Sequence, residues 1–277
     1  MRAFFSDFKR IVNFRSLLTV LLITLLCFFS NIPSGASNPP TILEGTFSAL
    51  IYGKTIFARE NIIEFFDNSY WFYIILPVIL SFNAVADFYE EWFGGGFYLN
   101  IHRQQIVKYA ASKALAYSLH SVLCFLVGTA LFILPIMLIF PNEEAENLLA
   151  MYPNGFTALM TSKLLNSAVL AAIYPVFCIL FVILIKEKFL SLSCPLLLNY
   201  MTGQISSALF ISSFTDNDSR LRKIAMLLPY TQNTQYISFE QTFGLPIFVW
   251  YIACGAIFVL LVLAIILLIK RRVKTNA

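Results

Sequence analysis

Residues 114–140 read ALAYSLHSVLCFLVGTALFILPIMLIF, a run without one charged side chain. The hydrocarbon core of a bilayer is about 30 Å thick, and about 20 apolar residues in helical form cross it. Lipid offers no partner to a backbone N–H or C=O, so a run of this kind is read as a helix. Five other runs meet the same requirement: Ser16–Pro33, Tyr70–Phe88, Leu164–Ile185, Leu190–Phe214 and Pro246–Ile269. None alternates apolar and polar residues as a membrane barrel strand does. The sequence predicts an all-α integral membrane protein with six transmembrane helices, at residues 16–33, 70–88, 114–140, 164–185, 190–214 and 246–269.

Composition agrees. Hydrophobic residues make up 59% of the 277 and charged residues 12%, and the mean hydropathy is +0.77. A soluble domain has too much surface to cover with so few charges. Lys and Arg positions set the orientation of such a chain. With the N-terminus inside, Arg2, Lys9, Arg10, Arg15, Arg103, Lys108, Lys113, Lys186, Lys188, Lys270, Arg271, Arg272 and Lys274 all fall inside. The outer side keeps only Lys54, Arg59, Lys163, Arg220, Arg222 and Lys223, and most acidic residues lie there. Both termini are therefore expected to be cytoplasmic, in the plasma membrane of a bacterium. Cys27, Cys124, Cys178, Cys194 and Cys254 all fall inside the runs, which favours buried thiols over disulfides or zinc sites.

The links differ in character. Residues 1–15 place Phe4, Phe8 and Ile11 on one helical face with Lys9 and Arg10 off it, which suits an amphipathic helix at the inner interface; a plain positive flank is the alternative. Leu17–Phe29 followed by Ser34-Gly35-Ala36 also has the outline of a cleavable signal peptide, and an uncleaved first span is expected. The outer segment 34–69 is too polar to span and rich in apolar residues. Its Gly53-Lys54-Thr55 imitates a phosphate-binding loop but has Ser48 where the leading glycine belongs. Lys186-Glu187-Lys188 reads as a tight inner turn. Met226–Tyr230, in the outer loop before the last run, reads as a partly inserted turn.

The inner link 89–113 is the most informative. Asp87, Glu90 and Glu91 close the second run, and Gly94-Gly95-Gly96 breaks the helix, because glycine tolerates backbone angles that other residues avoid. A short helix is expected next, before the chain re-enters the membrane.

Few residues suit enzymatic chemistry. The two histidines are His102 and His120, neither near a second metal ligand in the chain. The pair Glu90-Glu91 resembles that of intramembrane CAAX-type proteases, but their arginine four residues later is Gly95 here. In the fifth run Asn199, Thr202, Ser206 and Ser213 fall near one helical face. Such groups belong inside a bundle or against a cavity. They fit the wall of a translocation path, and equally helix packing through small and hydroxyl residues.

Taken together, the arrangement resembles the type 2 permease family of ABC exporters. The inner link carries the resemblance most sharply: an acidic residue, glycine, leucine, a basic residue and a lysine opening the third span are Glu91, Gly95, Leu99, Arg103 and Lys113 here, followed by Ala114-Leu115-Ala116. Leu227-Leu228-Pro229 is similar to the family's leucine–proline turn before the last span. Where the family often has Pro-Ser-Arg, this chain has His102-Arg103-Gln104-Gln105. The resemblance implies a coupling helix that contacts a separate ATPase subunit, with Tyr98, Leu99, Ile101, His102 and Arg103 as contact residues and Glu90, Glu91, Gly94, Gly95 and Gly96 as candidates for a polar hinge. It also implies a second permease protomer, ATP and magnesium held by the partner, and no cofactor in this chain. No nucleic-acid partner is expected, and the lipid bilayer is the medium. The expected cargo is amphipathic or hydrophobic: a peptide, an antibiotic or a lipid. Two other readings stay open, a membrane sensor or immunity protein that transports nothing, and a membrane-embedded enzyme acting on lipid.

Overall fold

The computed structural model describes residues 2–30, 41–52, 70–139, 155–215, 220, 223–224, 243 and 246–275. The elements described are helices: α1 (Arg2–Ile11), α2 (Phe14–Phe28), α3 (Ile42–Tyr52), α4 (Tyr70–Phe93), α5 (Gly96–Arg103), α6 (Ile106–Ile139), α7 (Gly155–Ile185), α8 (Lys188–Thr215) and α9 (Phe248–Thr275). Gly53-Lys54-Thr55 and Met226–Tyr230 lie outside the described residues.

Three helical stretches, Ile106–Ile139, Met160–Ile185 and Phe248–Lys274, are long and apolar enough to cross a bilayer. α1 and α2 qualify only as a pair, bent by 63° between them. Large apolar side chains stay exposed along these helices, Leu138 at 86% and Leu260 and Leu267 beside many others. A water-soluble surface seldom carries a contiguous apolar area of that kind. The chain is a membrane protein.

The apolar runs correspond to α2, α4, α6, α7, α8 and α9; α4 and α9 continue beyond the C-terminal ends of their runs, α6 and α7 begin before theirs, and α2 ends at Phe28. The link at 89–113 shrinks to Gly94-Gly95, the short α5, and Gln104-Gln105, because α4 continues to Phe93 and α6 begins at Ile106. Of the charges that suggested helix ends, Asp87, Glu91 and Lys113 are paired with one another inside the bundle, so the helices need not stop at them. α1 also departs from a purely interfacial role. Ile11 is buried, and Phe4 and Phe8 pack on the same core as Tyr109, Ala110 and Val182, leaving Phe5 as its exposed aromatic.

α6 and α7 form the centre. α6 packs against α1, α2, α7 and α9, and α7 also against α4, α8 and α9. Between apolar helices in lipid, hydroxyls and small residues supply the specific contacts. Ser118 donates to the Ala172 carbonyl at 2.6 Å and Ser121 to that of Leu80 at 2.8 Å. Asn83 donates to Thr19 at 3.2 Å, and Tyr251 to Asn166 at 2.8 Å. Thr24 donates to the Gly128 carbonyl at 3.0 Å. Gly128 sits at a close crossing of α2 and α6: a Cβ there would lie 2.8 Å from Ile23 Cγ2 and 3.2 Å from the Val20 carbonyl oxygen.

Adding a side chain at Gly128 therefore overpacks this crossing. Gly128→Leu is expected to cost about 1–3 kcal/mol, read as a lowered thermal midpoint in detergent. Gly255→Ala, where an added Cβ meets nothing within 4 Å, is expected to show no loss.

Candidate functional site

Three glycines build the elbow between α4 and α6. The Gly94 N–H closes on the Glu90 carbonyl at 2.9 Å and ends α4; a Cβ at Gly94 would collide with that same oxygen. Gly95 takes φ +83°, a left-handed conformation that glycine adopts without steric cost, and the chain reverses into α5. At the far end the Gln104 N–H returns to the Asn100 carbonyl at 3.0 Å, and Gln104 itself is extended.

One side of α5 is tied down. Phe97 is buried between Trp92, 4.1 Å away centroid to centroid, and Tyr109 at 5.9 Å. Tyr98 and Ile101 are half-buried against the same core. Leu99 points the other way and is 64% exposed. His102 and Arg103 stand in the last turn of α5, with side chains outside the described ones. The five expected contact residues thus share one short helix, with Leu99 on its outward side.

Under the elbow lies a charged centre. The Lys113 ammonium is 2.7 Å from Glu91 Oε2, 2.9 Å from Asp7 Oδ1 and 3.9 Å from Asp87 Oδ2. The side chains of Lys113 and Glu91 are 3% and 1% exposed. Arg10 enters from α1 and bridges Asp87 at 2.8 Å and Glu91 at 3.0 Å. Tyr109 Oη and Asn100 Nδ2 each donate to Glu91 Oε1 at 2.8 Å. Tyr117 donates to Asp87 at 2.6 Å, and Ser112 to Asp7 at 2.5 Å. The Lys113 ammonium also lies 5.9 Å and 5.8 Å from the Tyr109 and Tyr117 ring centroids, within cation–π range.

Desolvating an ion costs several kcal/mol, recovered only where the geometry is good and the remaining lone pairs are satisfied. Both Glu91 oxygens meet that condition, each with two donors. Burial alone would raise the Glu91 pKa, but the Lys113 charge and hydrogen bonds from Lys113, Asn100 and Tyr109 outweigh it and hold the carboxyl below its ordinary value. Three carboxylates converge here as they do around a metal, yet the Lys113 ammonium occupies their focus. Among the described residues no group of three His, Cys, Asp or Glu is placed to hold a metal ion.

The expected hinge pair divides. Glu91 turns into the centre. Glu90 is exposed and meets Arg15 at 3.3 Å and Lys188 at 4.0 Å. Asp7, Arg10, Tyr109 and Tyr117 were not anticipated as site residues. The available signal was one lysine at the mouth of an apolar run, which needs a buried counter-ion, but sequence alone does not say that α1 supplies part of it.

On α8, Asn199 and Ser206 are buried and Thr202 half-buried. Asn199 Nδ2 donates to Tyr174 Oη of α7 at 3.0 Å, and Thr202 donates to the Asn199 carbonyl at 3.1 Å. The Ser213 side chain lies outside the described ones. His120 stands apart from the charged centre, 2.7 Å from Ser16 Oγ and 3.5 Å from Cys124 Sγ.

No protein-family model matches the chain, and comparison with curated proteins and with solved structures finds no match.

Removing the central cation leaves three carboxylates short of their partner. Lys113→Met is expected to cost about 3–5 kcal/mol, the usual penalty for breaking a buried pair from one side, measured by thermal or denaturant unfolding in detergent. The centre also predicts an acid dependence. Because the Glu91 carboxyl sits below the ordinary 4.5, the unfolded chain binds more protons there. That contribution is complete above the ordinary value and is lost as pH falls through the lowered one. Glu91→Gln should therefore flatten the loss of stability below about pH 4.5.

Proposed function

We propose that the chain is the membrane subunit of an ABC exporter, a permease of the type 2 family. It has six transmembrane helices with both termini cytoplasmic, and it works as a homo- or heterodimer over two separate ATPase subunits in a bacterial plasma membrane. The observation that carries this reading is the elbow. A two-turn helix is thrown out between two long helices, fastened on one side by aromatic packing and a buried ionic centre, and left with Leu99 exposed on the other. A helix held that way transmits a push at its tip into α4 and α6 with little loss, since both ends are anchored to packed elements.

The sequence supports a motor in trans. It contains no nucleotide-binding motif, and its apolar runs lack the midplane carboxylates or cations typical of ion-driven carriers. The excess of Lys and Arg on the elbow's side favours a cytoplasmic position for it. α8 supplies the polar face, Asn199, Thr202, Ser206 and Ser213, proposed to line the path. A path of amides and hydroxyls without charge suits an amphipathic or hydrophobic cargo.

An ATPase subunit is expected to co-purify with the chain in mild detergent. Leu99→Asp should weaken that complex by about 2 kcal/mol or more, the loss typical of a central contact residue, while leaving the thermal midpoint of the permease unchanged. A partnerless chain, or full affinity and full transport-linked ATP hydrolysis in Leu99→Asp, contradicts the coupling role.

A further inference from the structure

Beside the charged centre, and separate from it, a cleft of about 620 Å³ opens between the ends of α4, α7 and α9. Its lining includes Trp92, Leu184, Lys186, Leu268, Arg271 and Arg272, and every charged residue lining it is a cation. The Arg272 guanidinium lies 4.2 Å from the Trp92 ring centroid. The Trp92 Nε1 is buried without a hydrogen-bond partner, an arrangement that costs free energy. Lys186 adopts φ +63° at the end of α7, a conformation in which a lysine is strained and a glycine is not. A lysine held there places a charge at the rim of the cleft.

The position in the bundle indicates the kind of ligand. α7 passes from Ile185 to Lys186, and α9 from Ile269 to Lys270, so the cleft sits where two membrane-crossing helices change from apolar to charged. Leu184 and Leu268 extend its wall toward the apolar side, Leu184 with half its surface exposed.

We infer that this cleft is a binding site for the phosphate headgroup of an anionic lipid, with Lys186, Arg271 and Arg272 on the phosphate oxygens and the acyl chains along Leu184 and Leu268. The shared chemistry is a phosphate oxyanion, and the two possible sources are a lipid and a soluble phosphate ester. The site does not depend on the permease reading, because it rests on the ends of helices whatever the bundle transports.

Native mass spectrometry of the detergent-purified chain with phosphatidylglycerol, or with phosphatidylcholine of the same acyl chains, tests it. Phosphatidylglycerol should be retained preferentially, and Arg271→Gln, Arg272→Gln and Lys186→Gln should each weaken retention by roughly fivefold, the value of one interfacial cation. Lys108→Gln, a cation outside the cleft, should leave retention unchanged. Lys186 lies on an exposed turn, so its variant reports on binding even if an arginine variant fails to fold. Equal retention of the two lipids, or undiminished retention in Lys186→Gln and the arginine variants, overturns the site. Displacement by glycerol phosphate at concentrations equal to the lipid's overturns the lipid as source.

Discussion

A lysine ammonium buried to 3% exposure is tolerable only inside a cage of carboxylates, and most of the architecture around the elbow follows from meeting that condition at Lys113. Its three counter-ions come from two helices: Asp7 from α1, and Asp87 and Glu91 from successive turns of α4. α1 must therefore lie against the bundle rather than drift along a membrane surface. α4 must run past its apolar stretch to carry Glu91 inward. Arg10 then adds a second cation from the α1 side, against Asp87 and Glu91. The described ion pairs join four carboxylates, Asp7, Asp87, Glu90 and Glu91, with four cations, Arg10, Arg15, Lys113 and Lys188.

The elbow inherits its firmness from this centre. Asn100, halfway along α5, donates to the same Glu91 oxygen as Tyr109 on α6, so one carboxylate links the short helix to both of its neighbours. A chain of aromatic contacts from Phe88 through Trp92 and Phe97 to Tyr109 covers the apolar side. Glycine supplies the turn, and ions and rings supply the stiffness. In the proposed exporter this combination makes α5 a lever. The same features leave the outward Leu99 available to a partner without exposing the core.

The membrane character was legible from the length and apolarity of the runs alone, because lipid imposes a stringent rule on the backbone. The break at Gly94-Gly95-Gly96 and the short helix after it were legible too, since glycine clusters have few uses between two long helices. Helix ends were less so. Asp87, Glu91 and Lys113 read as solvated flanks until their side chains are seen to face one another, and pairwise burial is a property of the fold rather than of either segment. The division of Glu90 from Glu91 has the same origin: adjacent positions on a helix differ by about 100° in direction, and only the packing of α1 and α6 decides which one turns inward. On α8 the polar spacing was visible, whereas Tyr174 as the partner of Asn199 belongs to another helix.

A double-mutant cycle on Glu91 and Lys113 tests the central claim most directly. Glu91→Gln, Lys113→Gln and the double variant would be unfolded under identical detergent conditions. Coupling between the two positions should exceed about 1 kcal/mol, within the range found for residues that share one ionic network. Additivity to within about 0.5 kcal/mol, the behaviour of independent sites, would mean that the two side chains do not hold the elbow to the bundle.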